Sequence, residues 1–221
     1  MATNTDPAGP WSLVVPLKPL ARAKSRLARA AGEDARPRLA LAFAQDTVAA
    51  ALACSRVRDV VVVTDDAVAA SALSALGARI VPDAPGAGLN AALAHGARSV
   101  RALRPAAAVA ALNADLPALR TGELARVLDF ASAFPNAFLR DAAGIGTTFL
   151  AAVGGAEFRP AFGGPSGARH LASGAVEIAL SGVDSVRRDV DTGEDLRVAL
   201  ALGVGSHTAR IATASAPSRD R

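Results

Sequence analysis

The chain has 221 residues, 51% of them apolar and 20% charged, a balance that excludes wholesale disorder and fibrous classes. Cys54 is the only cysteine, which rules out an intrachain disulfide and a thiolate zinc cluster. No run of about 18 apolar residues offers a membrane span, and the first ten residues lack the basic start of a secretory signal, so a cytoplasmic protein without membrane partners is expected.

Residues 1–10 and 214–221 read as disordered ends around one domain of residues 11–213. Ser12–Leu17 predicts a first strand. Asp34 as N-cap, with Pro37 in the first turn, opens a helix running to about Cys54. Asp59–Thr64 is a continuous β-branched run, the mark of a central parallel strand. A helix over Ala67–Leu76, a short strand over Ala78–Val81 and a helix over Leu89–Leu103 follow. Ala106–Leu112 fits helix or strand, and its abrupt end at Asn113-Ala114-Asp115 favours strand. The second half is less regular. Thr121–Phe134 reads as helix, Ala137–Arg140 and Thr147–Val153 as strands, Arg187–Asp191 as a further candidate strand, and Thr192–Leu202 as helix. The alternation predicts a single α/β domain, Rossmann-like, with a mostly parallel sheet flanked by helices.

A net charge of +4 and a pI of about 10.4 invite a nucleic-acid reading. The arginines form no block of five or six, and the chain has no Tyr, one Trp and seven Phe. Stacking platforms for bases are therefore scarce, and no nucleic-acid partner is expected. Among the 24 basic side chains only Lys18 and Lys24 are lysines, and both lie in one short segment. An Ala- and Arg-rich composition explains the arginines but not that clustering. Ammonium and guanidinium groups are not interchangeable around a phosphate chain, so the pair points to phosphate chemistry.

In open α/β sheets ligands bind beyond the carboxyl ends of the strands. Lys18, Lys24 and Arg26 follow the first strand, and Gly86-Ala87-Gly88-Leu89-Asn90 follows the third. Asp115 follows the fourth, and Asp189 and Asp191 flank Val190. On a strand those two carboxylates would share a face and repel unless a cation or solvent accommodates them. With Asp115 they form a hard, oxygen-rich set suited to Mg²⁺. The cations and Gly-rich loops supply the counterpart for a triphosphate. No Ser/His/Asp or Cys/His arrangement stands out, which argues against covalent catalysis. Cys54 reads as inert core and His170 as structural. Gly86–Ala91 matches the dinucleotide fingerprint as a pattern, but it follows the third strand and carries Pro82 and Pro85 just ahead of it. No P-loop sequence occurs.

Taken together, these segments resemble a known family. They are Pro16-Leu17-Lys18, Lys24-Ser25-Arg26-Leu27, Leu89-Asn90, Asp115-Leu116-Pro117, Gly144-Ile145-Gly146-Thr147, Phe162-Gly163 through Ser166 to Ala168-Arg169-His170, and Asp189-Val190-Asp191-Thr192 with Asp195-Leu196. Their order, over roughly residues 12–205, is similar to that of the phosphoenolpyruvate and 2-phospho-L-lactate guanylyltransferases of coenzyme F420 biosynthesis. One departure is Asn113-Ala114 before Asp115, where the family pattern has a glycine.

The resemblance implies a nucleotidyltransferase fold, GTP as co-substrate, one or two Mg²⁺ ions and pyrophosphate as product. The acceptor it implies is a phosphorylated three-carbon acid: phosphoenolpyruvate, 2-phospho-L-lactate or 3-phospho-D-glycerate. Phosphoenolpyruvate is favoured because the composition is similar to actinobacterial members. Asp115, Asp189 and Asp191 are then assigned to the metal. Lys18, Lys24 and Arg26 are assigned to the β- and γ-phosphates, with Lys18, Lys24 and Asp115 as the catalytic set. Leu17 with Gly88, Leu89 and Asn90 would face guanine and ribose. Thr147, Gly163 and Ser166 would bind the acceptor acid. A homo-oligomer, and hand-over of the product to the next transferase of the pathway, are compatible with this reading.

Overall fold

Valine-rich strands set the centre of the molecule. In the computed structural model, which describes residues 10–24, 27 and 35–214, β2 (Val57–Val63) buries all of Val60 to Val63. A strand buried on both faces must lie inside a sheet with layers on each side. It pairs in parallel with β1 (Trp11–Pro16) and β3 (Arg79–Val81). β1 also pairs in parallel with β4 (Ala108–Leu112). β6 (Thr147–Ala152) runs antiparallel to both β4 and β5 (Asn136–Arg140), and β7 (Val176–Glu177) runs parallel to β5. The order is β3-β2-β1-β4-β6-β5-β7, so β6 alone runs against the other strands.

The period-2 alternation of the strands divides the core. Leu13, Val15, Val60, Val62, Ala110 and Leu112 pack under α1 (Ala35–Leu52), α2 (Ala67–Ser74) and α4 (Thr121–Ala131). Their neighbours Val14, Val61, Val63, Val109 and Ala111 face α3 (Leu89–Leu103). The α3 helix presses close because Gly96 lacks a side chain: a Cβ there would lie 2.5 Å from Val14 Cγ1 and 2.7 Å from Val63 Cγ2. Four further helices complete the described chain: α5 (Ser166–Ala172), α6 (Asp184–Arg187), α7 (Gly193–Leu202) and α8 (Ser206–Ala214). A third small cluster joins Leu27, Leu39, Phe43, Ala118, Val190 and Ala199.

The helix expected over Leu89–Leu103 is found with those bounds. Thr192 and Asp195 form a reciprocal capping box at the start of α7. The candidate strand at Arg187–Asp191 is corrected. Arg187 ends α6, and residues 188–191 run as a loop. The Val190 N–H donates to the Asp115 carbonyl at 3.0 Å rather than to a strand. Asp34, Arg26 and the two chain ends (residues 1–9 and 215–221) lie outside the described residues. Among the described residues no helix is long and apolar enough to cross a membrane. Cys54 is buried in the core, and burial pushes its thiol pKa up, in keeping with an inert thiol.

Candidate active site

The carboxyl ends of β1, β4 and β5 open at the same edge of the sheet as the amino end of the reversed β6. A cavity of about 690 Å³ lies there. Pro16, Leu17, Lys18, Arg22 and Lys24 border it after β1, and Leu89 borders it from α3. Asp115 follows β4, Asp141 follows β5, and Thr147 opens β6. Gly163 borders it from the loop before α5, Ser166 from the start of α5, and Asp189 and Asp191 from the loop after α6. Stretches far apart in sequence are thus gathered at the place the strand order predicts.

Asp115 is held by its own turn. Thr47 Oγ1 accepts the Leu116 N–H at 3.0 Å and donates to the Phe43 carbonyl at 2.8 Å. The Ala114 carbonyl lies 3.3 Å from the same hydroxyl. Val190 is buried, and the carboxylates on either side of it both border the cavity. The shared placement expected for Asp189 and Asp191 therefore holds, through a buried anchor in a loop rather than through a strand.

Lys24 lies among these carboxylates. Its backbone has φ of 56°, the left-handed region that a residue with a Cβ seldom occupies. Its ammonium pairs with Asp115 and, at 2.7 Å, with Asp191 Oδ1. Burial would lower the Lys24 pKa, but the two carboxylates more than reverse this and push it up. Asp189 behaves in the opposite way. Burial, then the charges of Asp115 and Asp191, push its carboxyl up to about 7. Asp115 Oδ1 is buried with no hydrogen-bond partner. Among the described residues no three His, Cys, Asp or Glu side chains form a ready-made metal shell. The anionic set with a bare buried oxygen is nonetheless the donor chemistry that a hard divalent cation requires.

At the opposite wall, Thr147 and Ser166 are buried and their hydroxyls lie 3.0 Å apart. Thr147 Oγ1 is also 3.0 Å from His170 Nδ1. The loop that carries Gly163 is fixed by Asn90. Its Nδ2 donates to the Phe162 carbonyl at 3.1 Å, and its Oδ1 accepts the Phe162 N–H at 2.7 Å. Of Gly88, Leu89 and Asn90, only Leu89 borders the cavity. Gly88 is the N-cap of α3 with φ of 94°. Asn90 thus holds the loop that carries Gly163.

Two charged cavity residues, Arg22 and Asp141, were not assigned a role from sequence. Arg22 sits between the lysines in the loop already singled out, and its position there was the available signal. Asp141 accepts the Ile145 N–H at 2.9 Å and the Gly146 N–H at 2.8 Å. It shapes the turn that leads into Thr147, and its carboxylate fills the space a Cβ at Gly146 would need.

Comparisons with known proteins bear on the family and the fold. The family described as Guanylyl transferase CofC like matches residues 11–212. A protein of Streptomyces coelicolor named phosphoenolpyruvate guanylyltransferase is 69% identical over 91% of this chain and 95% of its own. One of Streptomyces avermitilis with the same name is 70% identical over 91% and 94%. Among solved structures, a nucleotidyl transferase from Methanothermobacter superposes with a TM-score of 0.60 at 21% identity, over 87% of this chain and 97% of that one. That likeness shows the nucleotidyltransferase fold.

Proposed function

The chain belongs to the CofC-like guanylyl transferase family, and from that premise we propose that it transfers GMP from GTP to the phosphate of phosphoenolpyruvate. The products are enolpyruvyl-diphospho-guanosine and pyrophosphate, in coenzyme F420 biosynthesis. The observation that carries this reading is the joining of the cationic loop, the three aspartates and the Thr147–Ser166 wall in one cavity. The relatives at 69% and 70% identity support the acceptor by their names.

In this reading an oxygen of the acceptor phosphate attacks the α-phosphorus of GTP. The bond from that phosphorus to the oxygen bridging the β-phosphorus breaks, and the electron pair leaves with pyrophosphate. The protein's part is positioning and charge neutralisation. Pro16, Leu17 and Leu89 offer apolar walls to base and ribose. Lys18 and Arg22, both exposed at the cavity, meet the β- and γ-phosphates and the departing pyrophosphate. Lys24 exchanges its carboxylate partners for phosphate oxygens. The hydroxyls of Thr147 and Ser166 and the backbone at Gly163 take the carboxylate and phosphate of the acid. Asp115, Asp189 and Asp191 would hold Mg²⁺. When bound, the metal would act as a Lewis acid on the phosphate oxygens.

The test supplies purified protein with GTP, Mg²⁺ and one phospho-acid at a time: phosphoenolpyruvate, 2-phospho-L-lactate or 3-phospho-D-glycerate. The next transferase and its deazaflavin acceptor trap the product, and mass spectrometry reads it. A trapped product from phosphoenolpyruvate is expected. Product from another acid alone overturns the acceptor, and intact GTP in every tube overturns the activity.

A further inference from the structure

His170 has no surface exposure, lies behind the cavity wall and takes no part in the chemistry above. Its ring is clamped between Phe138 and Phe162, with centroids 5.7 Å and 5.3 Å away. Both ring nitrogens are engaged. Nε2 accepts the backbone N–H of Ala161 at 3.0 Å, and Nδ1 lies 3.0 Å from Thr147 Oγ1. A backbone N–H only donates, so Nε2 must present its lone pair. A neutral imidazole then carries its proton on Nδ1, and Thr147 Oγ1 is the acceptor.

The proton count follows. Nδ1–H, the Thr147 hydroxyl and the Ser166 hydroxyl bring three protons. The two contacts, His170 to Thr147 and Thr147 to Ser166, consume two of them. His170 cannot take the third, because both its nitrogens are committed. Neither hydroxyl has another hydrogen-bond partner among the described residues. One hydroxyl proton is therefore surplus to the protein, on a pair of residues that border the cavity.

We propose that His170 is a positioning residue for the acceptor acid: by donating from Nδ1 to Thr147 it turns one Thr147 or Ser166 proton toward the substrate, so that this wall offers donors to an oxyanion. The same ring, through Ala161, braces the loop that carries Gly163, which Asn90 holds from the other side. Burial, then the charge of Arg169, lowers the His170 pKa to about 4. The imidazole is thus neutral at physiological pH and able to hold this polarity. The inference rests on the placement of the acid at Thr147 and Ser166 made above.

Steady-state kinetics of pyrophosphate release, with GTP and phosphoenolpyruvate varied in turn, tests it on three variants of the full chain. His170→Asn keeps an amide donor near the Nδ1 position, while His170→Gln keeps an acceptor near Nε2 and loses that donor. Loss of one such hydrogen bond should raise the phosphoenolpyruvate KM of His170→Gln about tenfold. The GTP KM should stay within about twofold, and the rise in His170→Asn should be at least threefold smaller. Equal rises in the two variants, or a GTP KM that moves with the other, overturn the proposal. Ser166→Ala separates the premises. An unchanged phosphoenolpyruvate KM in that variant overturns the placement of the acid and this inference with it. A raised KM there without one in His170→Gln overturns this inference alone. Nitrogen-15 spectra of the imidazoles in the unaltered protein decide the tautomer without any variant having to fold. A proton on Nδ1 at pH 7 is expected, and one on Nε2 overturns the proposal.

Discussion

At the scale of single residues, Lys24 neutralises two carboxylates that would otherwise face each other across the cavity. Asp189 has no such ion pair among the described residues, and burial and the charges of Asp115 and Asp191, outweighing that of Lys24, push its carboxyl pKa up to about 7. The sign of the linkage is set by that direction. A carboxyl with a raised folded pKa stabilises the fold in its protonated form, and that contribution is lost as pH rises from the ordinary carboxylate range through about 7. A divalent cation relieves this loss. The thermal midpoint should therefore gain more from Mg²⁺ at pH 8 than at pH 5, and an equal gain at both counts against metal at these aspartates. Asp115→Asn removes one charged ligand at nearly constant shape. Turnover should fall by more than about tenfold, the loss expected when a group stabilising transition-state charge is removed, and a smaller loss would remove Asp115 from the metal set.

At the scale of elements, what was legible depended on how local the determinants are. The α3 helix was readable to its ends because its apolar spacing and its preceding glycine are contiguous. The α8 helix was not, because its cap comes from far away in the chain. Asp46 on α1 is buried and accepts the N–H groups of His207 at 3.0 Å and Thr208 at 2.8 Å. No pattern around residue 206 announces that partner. Asp46→Ala leaves those donors unmet in a buried place and should cost about 2 kcal/mol, read as a lower urea midpoint. An unchanged midpoint would mean that α8 docks on α1 without the cap. The loop at Arg188–Asp191 was misread for a related reason. Its alternation is real, with Val190 buried between more exposed neighbours, but its backbone bonds reach a turn and not a sheet. The candidate site was legible wherever charge was concentrated, as at Lys18, Lys24 and the three aspartates. It was not legible where side chains position one another, as where Asn90 bonds Phe162 and where His170 lies 3.0 Å from Thr147.

At the scale of the whole molecule, the reversed β6 joins two unequal halves of a site. The loops after β1 and at the start of α3 belong to the parallel half, and they supply the cations and the apolar wall proposed for the nucleotide. The hairpin of β5 and β6 with the loop before α5 supplies the wall proposed for the acid. Asp115, Asp189 and Asp191, with Lys24 paired to two of them, are proposed to lie where the two substrates would meet. Occupation of one half should therefore quiet that half first. Ligand at about 100 times its Kd stabilises the native state by about 2.7 kcal/mol, and amide exchange shows which backbone groups receive it. GTP with Mg²⁺ should slow exchange over residues 16–24 and 89–93, and added phosphoenolpyruvate should extend the protection to residues 144–147 and 161–167. Protection of the second set by GTP alone would place the nucleotide across both halves. The division of the cavity drawn from β6 would then fail, while the chemistry assigned to the aspartates would stand.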